Sequence, residues 1–471
     1  MRSTRITSTL AIAGVLSIGL LAACSQTPDD GGAGADPGTD DAAQQEAEQI
    51  TLSVVSLIPG SEQEAFDAFD ERVAQFEELY PNITVEPQEY EWRATTFAAQ
   101  LAGGTLPDVY EIPLTDAKTL IENGQLADID AQFQALDYAG DFNESLLDAG
   151  MGEDGKVYAI PAKSIYGVAL HYNRDMFTAA GLDPDKPPTT WDEVREYAKT
   201  IKDATGQAGY ATMAANNTGG WQLTAATYSR GGRVQEADDD GTYTATLDND
   251  GTREALEFLK ALRWEDDSIL ADTTLDWSTI NQAFAGGQTA MYTSGSDVYT
   301  SLVETNGVTA SAYGLTAIPT DGADSGVLVG GTLAAVNVKA DDATKDAAVK
   351  WIDFFYLSKL LDQEQAVADA TVRFDNDQTV GTPVLPIFSR DQYELSLEWV
   401  ADYVNVPLAQ MEGYTSVMFD QPVVGEPSRS TQETYGALDL MVQAVLSDQN
   451  ADIDALLAAG NTQVQALLDE G

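Results

Sequence analysis

The apolar positions of this chain follow two rhythms in turn. Ile50 to Ser56 is a short β-branched run, the signature of a largely buried strand. Pro59-Gly60 breaks it, and Ser61 with Glu64 three residues on makes the pattern of a capping box at the head of a helix. From Glu62 to Leu79 the large apolar residues Phe66, Phe69, Val73 and Phe76 recur at intervals of three and four, which is one face of an amphipathic helix. Pro81-Asn82 ends that helix, and Ile83 to Val85 begins a second strand. Further strands are expected at Val109 to Ile112, Val157 to Ile160 and Val168 to Tyr172. Further helices are expected at Trp191 to Lys202 behind a Thr190 cap, at Asp250 to Trp264 and around Thr344 to Leu361. Strands alternating with helices in this way predict α/β lobes with mostly parallel sheets flanked by helices.

Before Ile50 the pattern is different. Arg2 and Arg5 precede an apolar run from Leu10 to Leu21 that closes on Leu21-Ala22-Ala23-Cys24. The run is too short to span a bilayer as a stable helix and reads as the h-region of a secretory signal. Its close resembles a bacterial lipobox. That resemblance implies cleavage before Cys24, lipidation of its sulfur and a durable membrane anchor of two or three acyl chains. Residues 25–49 carry no aromatic side chain and, proline aside, no apolar residue larger than alanine. Such a segment cannot bury enough surface to offset chain entropy and reads as a disordered tether.

About 420 residues follow the tether, enough for two lobes with real cores. The formal net charge of −52, from 76 acidic and 24 basic residues, argues against a nucleic-acid partner and against attraction of the protein surface to anionic lipid. With its only cysteine lipidated the chain has no disulfide. With a single histidine, His171, neither Ser-His-Asp catalysis nor a His/Cys metal site is expected. His171, on a strand just before Tyr172-Asn173, reads as a packed residue rather than a base. Asp238-Asp239-Asp240-Gly241 reads as a solvated turn rather than a calcium site. No cofactor or metal is expected.

Six segments carry a more specific signal. They are Leu101 to Val109 (LAGGTLPDV), Asp154 to Pro161 (DGKVYAIP), Tyr172 to Phe177 (YNRDMF) with Ala180-Gly181-Leu182 behind it, Pro188 to Glu193 (PTTWDE), Phe284 to Met291 (FAGGQTAM) and Gly330 to Ala334 (GGTLA). In this order they resemble the signatures of family 1 extracellular solute-binding proteins, the maltose-binding-protein-like receptors of bacterial ABC importers. The likeness thins after about residue 370. It implies a two-lobed, type II periplasmic-binding-protein-like fold with the ligand cleft between the lobes. The implied division is a signal peptide at 1–24, a tether at 25–49, lobe I at 50–168, lobe II at 169–317, lobe I again at 318–380, and lobe II with C-terminal helices at 381–471. Chain crossings are expected near Tyr166 to Tyr172, Tyr313 to Pro319 and Pro383 to Phe388.

The resemblance also implies a function: an extracytoplasmic, lipid-anchored and monomeric receptor, on the cell surface or in the periplasm. It would capture a mono- or oligosaccharide and deliver it to ABC permease subunits. A receptor for another polar solute, such as a polyol or a glycerophosphodiester, and a secreted carbohydrate-active enzyme are the alternatives; no pair of acidic residues is marked as catalytic.

A neutral sugar presents apolar C–H faces edged by hydroxyls, so its site needs aromatic rings and carboxylates or amides. Trp221 is the first choice for stacking, because Asn216 to Trp221 (NNTGGW) reads as a polar, glycine-rich loop. Trp92, before a helix, is similar, whereas Trp264 ends an apolar stripe and reads as core. Glu111 follows the PDV strand, where relatives present a polar contact. Tyr166 stands on the first crossing, Glu62 with Ser61 at the first strand-to-helix turn, and Gly331 in the glycine pair that opens a strand. Asp297 occupies a place where many relatives carry Trp, and Tyr299 is the substitute ring.

Overall fold

The computed structural model describes residues 49–163, 165–237 and 242–470. The expected signal segment with Cys24, the tether up to residue 48 and the Asp238 to Gly241 turn lie outside the described residues. The strands are β1 (Ile50–Val55), β2 (Ile83–Gln88), β3 (Val109–Pro113), β4 (Ala159–Pro161), β5 (Tyr166–Asn173), β6 (Gln235–Ala237), β7 (Tyr243–Ala245), β8 (Met291–Gly295), β9 (Tyr313–Ala317), β10 (Val327–Gly330), β11 (Thr332–Val336) and β12 (Val423–Gly425). One sheet has the order β2-β1-β3-β11-β4, a second the order β12-β10-β5-β8 with β9 also on β5, and β6 and β7 form a separate hairpin.

The two sheets are mixed rather than mostly parallel. β1 runs parallel to β2 and β3, and β10 to β12. β11 is antiparallel to β3 and β4, and β5 to β8, β9 and β10. The reason lies in the connections between the sheets. β5 and β11 are the strands that enter one sheet directly from the other, so they start at the junction and run away from it, while their neighbours end there. Each inserts into the middle of its sheet and turns its pairings antiparallel.

Both faces of the inner strands of each sheet are buried, which explains their continuous apolar runs in the sequence. In the first sheet Leu52, Val54, Val109, Ala334 and Val336 join one core, and Val55, Tyr110, Ile112, Leu333 and Ala335 join the other. In the second, Val168, Leu170 and Tyr172 face one core and Ala169, Tyr292 and Leu315 the opposite one.

The crossings fall between β4 and β5 and at Gly331, not at 166–172 and 313–319. Tyr166–Asn173 and Tyr313–Ala317 are paired to each other within the second sheet, and Val327–Gly330 is still on its β5 edge. The returns to each lobe expected at 169 and 318 shift accordingly. Beside these crossings, Leu385 bridges Ile165, its N–H donating to the Ile165 carbonyl at 2.6 Å.

The helices follow the periodicity closely, with local corrections at their ends. Thr190 caps Trp191–Thr205 by accepting from the Glu193 N–H, and Asn249 caps Asp250–Trp264 in the same way from Thr252. The first helix is Gln63–Leu79, and its Glu62 cap makes no side-chain bond. Ser61 does not cap it, because its hydroxyl turns back to the Ile58 carbonyl at 2.9 Å. The helix expected at Thr344 to Leu361 runs as Asp342–Ile352, a π-helical turn Asp353–Leu357, and Ser358–Leu361. Among the described residues no helix is long and apolar enough to cross a membrane.

Candidate functional site

Because most strands end at the junction, the loops behind them gather into one cleft, the usual place for a ligand in an open α/β sheet. Several contacts close this cleft. Arg93 pairs with Asp276 at 3.3 Å, Arg429 with Glu122 at 3.4 Å, and the Gln432 amide donates to Asp116 at 3.2 Å.

Trp221 stands on a helix, Thr218–Tyr228, and not in a loop. The two glycines before it serve a close helix contact rather than flexibility. A side chain at Gly220 would run into the backbone of Tyr435 on the helix Thr431–Ser447. Asp439 on that second helix accepts the N–H of Gly220 at 2.7 Å and of Asn217 at 2.8 Å, satisfying donors that a helix N-terminus leaves open. The indole is thereby fixed at the first turn. Its Nε1 donates to Glu426 Oε1 at 3.2 Å, and its ring meets that of Tyr166 edge-on, with centroids 6.2 Å apart and planes at 72°.

Glu426 follows β12 directly. The Tyr435 hydroxyl donates to Oε2 at 3.1 Å, and the Tyr166 hydroxyl reaches Oε1 at a weak 3.5 Å. All these donors are neutral. Burial without a countercharge therefore pushes the Glu426 carboxyl up to about 7. Across the cleft, burial also pushes Asp116 up to about 7. Gly330 lacks a side chain where one would strike both the Tyr166 hydroxyl and Glu426. Asp297 joins the group from the end of β8, where its carboxylate and the Tyr166 ring both lie against Gly295.

The opposite wall is built on β3. Glu111 receives Lys163 Nζ at 2.8 Å on one oxygen and the Tyr356 hydroxyl at 2.8 Å on the other. Tyr356 lies on the π turn, a feature frequent at functional sites. Trp92 is half-buried against Phe97, and its buried Nε1 has no partner.

Three expected site residues do other work. Tyr299 is only 2% exposed, with its ring 4.8 Å from Tyr313, so it is core and cannot be a stacking platform. Gly331 packs against Ile165 and Leu114 at the crossing, and its carbonyl accepts the Leu114 N–H at 3.1 Å. Glu62 is exposed, and its N–H donates to the Glu304 carbonyl at 3.3 Å. Trp264 donates to the Val445 carbonyl at 2.8 Å, beside the second-lobe core. His171 is buried between Tyr313, 2.7 Å from Nδ1, and the Ser294 carbonyl, 3.3 Å from Nε2; burial pushes it down to about 4, and it is neutral and packed.

Sequence reasoning missed Glu426, Tyr435, Asp116, Lys163 and Tyr356. A signal existed for Glu426: Val423-Val424-Gly425-Glu426-Pro427 is a short β-branched run ended by a carboxylate and a breaker. Chemically the cleft offers aromatic edges and carboxylate acceptors. Among the described residues no group of three or more His, Cys, Asp or Glu could hold a metal ion.

The sequence profile of the bacterial extracellular solute-binding proteins matches residues 71–371. A curated relative, the sn-glycerol-3-phosphate-binding periplasmic protein UgpB of Salmonella typhimurium, is 26% identical over 308 residues. The match covers 61% of this chain and 66% of the relative, just under two thirds of its length. Among solved structures, an ABC transporter solute-binding protein of Thermotoga lettingae bound with α-D-tagatose superposes with a TM-score of 0.70 at 19% identity, covering 89% of this chain and 100% of that one. UgpB from Mycobacterium tuberculosis in complex with glycerophosphocholine gives 0.69 at 19% identity, covering 89% and 98%. The fold is that of the type II periplasmic binding proteins.

Proposed function

This chain belongs to the bacterial extracellular solute-binding proteins, and from that premise we propose that it is the receptor of an ABC importer, capturing a carbohydrate between its lobes and delivering it to the permease. The observation that carries the carbohydrate reading is the Trp221–Tyr166 pair arranged around Glu426. Rings of this kind cover C–H faces, while a carboxylate accepts hydroxyl protons.

The charges around the cleft favour a neutral solute over a phosphodiester. Lys163 is committed to Glu111 and Arg429 to Glu122, and Asp116 and Glu426, once ionised, would repel a phosphate. A glycerophosphodiester is the second reading, favoured by the relatedness to UgpB of Salmonella typhimurium.

Delivery needs no covalent step. The exposed Arg429–Glu122 pair contributes only about 0–1 kcal/mol, so a solute touching both walls weighs heavily in the balance between open and closed forms. The permease then selects the closed form. The protein acts as a monomer outside the cytoplasm, held to the membrane through lipid on Cys24, and Cys24→Ala should release it or block signal processing without altering affinity in the soluble domain.

The test is a thermal-shift screen of the chain lacking residues 1–24 against sugars, polyols and glycerophosphodiesters. A ligand at a hundredfold excess over Kd should stabilise by about 2.7 kcal/mol. The solute should be recovered unchanged after long incubation. Stabilisation by phosphodiesters alone, or turnover of the solute, overturns the reading.

A further inference from the structure

The chain enters the Trp221 helix through a strained turn. Asn216 and Asn217 take φ values of 56° and 69° in succession, the left-handed region that residues other than glycine seldom occupy and that asparagine tolerates better than most. Such residues persist where their surroundings hold them, and they gather at ligand sites. Asn217 also stands at the helix N-cap, where an asparagine side chain ordinarily accepts from its own helix. Here it makes no such bond.

Both side chains turn instead to the junction between the lobes. Asn216 Nδ2 donates at 2.9 Å to Asp276 Oδ2, and Arg93 of the first lobe reaches the same oxygen at 3.3 Å. Asn217 Nδ2 donates at 3.1 Å to Gln432 Oε1, while the amide nitrogen of Gln432 donates at 3.2 Å to Asp116 of the first lobe. Each asparagine is thus one residue removed from the opposite lobe, by a separate route. The last link is backbone: the Trp221 N–H donates to the Asn217 carbonyl at 3.1 Å.

We propose that Asn216 and Asn217 are positioning residues that tie the placement of the Trp221 indole to closure of the cleft. With the lobes together, Arg93 fixes Asp276 and Asp116 fixes Gln432, so the two amides hold the strained turn, and with it the ring, beside Tyr166 and Glu426. With the lobes apart both outer partners leave, the turn relaxes and the ring shifts. A stacking surface completed by closure binds the closed form better than the open one, which is the differential affinity through which a solute moves that balance. The inference rests on the reading of Trp221 as the ring that meets the solute.

Fluorine NMR of the chain labelled with 5-fluorotryptophan tests it, the Trp221 resonance being assigned by its loss in Trp221→Phe. Closure is imposed without a solute. Glu122→Cys and Arg429→Cys, replacing a pair that spans the lobes, are joined by a phenylene bismaleimide in the chain carrying Cys24→Ala, which has no native thiol. Cross-linking should shift the Trp221 resonance in this parent. The shift should fall by at least half in Asn216→Gly or Asn217→Gly and vanish when both are replaced. Glycine adopts the left-handed backbone without steric cost, so these variants remove the side-chain links and keep the turn. Gln432→Ala cuts the Asn217 route without touching the turn, and it should halve the shift even if the glycine variants fail to fold. A merely structural role would lower the melting temperature and leave the shift intact. That result overturns the proposal, as does a parent whose resonance ignores cross-linking. Since no solute enters the measurement, the carbohydrate reading stands or falls on its own screen.

Discussion

Glu111, in the middle of β3, and Glu426, directly behind β12, are carboxylates of the two opposite walls, and their surroundings differ. Glu111 meets a lysine and a tyrosine hydroxyl, one on each oxygen. Glu426 meets an indole, a phenol and, weakly, a second phenol, and among the described residues no cation pairs with it. One wall carries a charge already neutralised by the protein. The other carries a carboxyl whose ionisation is opposed by burial. The pairing of a finished wall with an unfinished one suits a receptor, since the unfinished group gains most from a solute's hydroxyls.

The largest expected effect of this difference is on stability against pH. The Glu426 carboxyl is raised from 4.5 to about 7 in the folded chain. Below pH 4.5 both folded and unfolded chains hold its proton, and no cost arises. Between 4.5 and 7 the unfolded chain releases the proton while the folded chain keeps it, so stability falls as pH rises, by at most on the order of 3 kcal/mol. Glu426→Gln should remove this part of the slope. The measurement is the difference between variant and wild type in unfolding free energy at pH 5 and pH 8, which cancels the many other carboxylates. A slope unchanged in the variant would mean that Glu426 ionises freely. Asp116, also raised to about 7, should act in the same direction, and the two substitutions should not add, since the charges repel one another across the cleft.

Next in size is the loss of the aromatic anchor. Trp221→Ala should weaken ligand binding by about 2 kcal/mol, roughly thirtyfold, as for a desolvated interface aromatic. Trp221→Phe keeps a ring against Tyr166 but drops the donor to Glu426. It should recover part of the affinity while raising the Glu426 carboxyl further. Calorimetric titration beside thermal unfolding separates the roles: unchanged affinity with a large stability loss would make the indole a packing residue only.

The legibility of this molecule follows the range of the interactions concerned. Helices such as Asp250–Trp264 were readable because their apolar spacing and Asn249 cap are local. Trp221 was singled out on the wrong local structure, a loop where the chain forms a helix. Gly219-Gly220 resembles a loop in a short window, and only the backbone of Tyr435, over two hundred residues later, shows that the glycines permit helix packing. The direction of the strands was misjudged for a similar reason, since β5 and β11 turn their sheets antiparallel by arriving from the opposite lobe. Glu426 escaped notice because Trp221 and Tyr166, which give it meaning, lie 205 and 260 residues away in sequence. Tyr299 was misjudged through exposure, which the second residue of a short helix does not reveal.

The smallest expected effect belongs to the finished wall. Lys163 is 48% exposed and Glu111 15%, so solvent screens much of their attraction, and Lys163→Met should cost only about 0.5–1 kcal/mol of stability. The loss should shrink as salt rises from 0.1 to 1 M, because an exposed charge is screened within a few ångströms at the higher strength. The Glu426 contribution, set by burial rather than by a charged partner, should keep its size over the same range. Denaturant unfolding of Lys163→Met and Glu426→Gln at both salt concentrations puts the two walls side by side. If the Lys163 effect is salt-independent and larger than that of Glu426, then Glu111 is the carboxylate whose environment leaves it incomplete, and the contrast between the walls runs the other way.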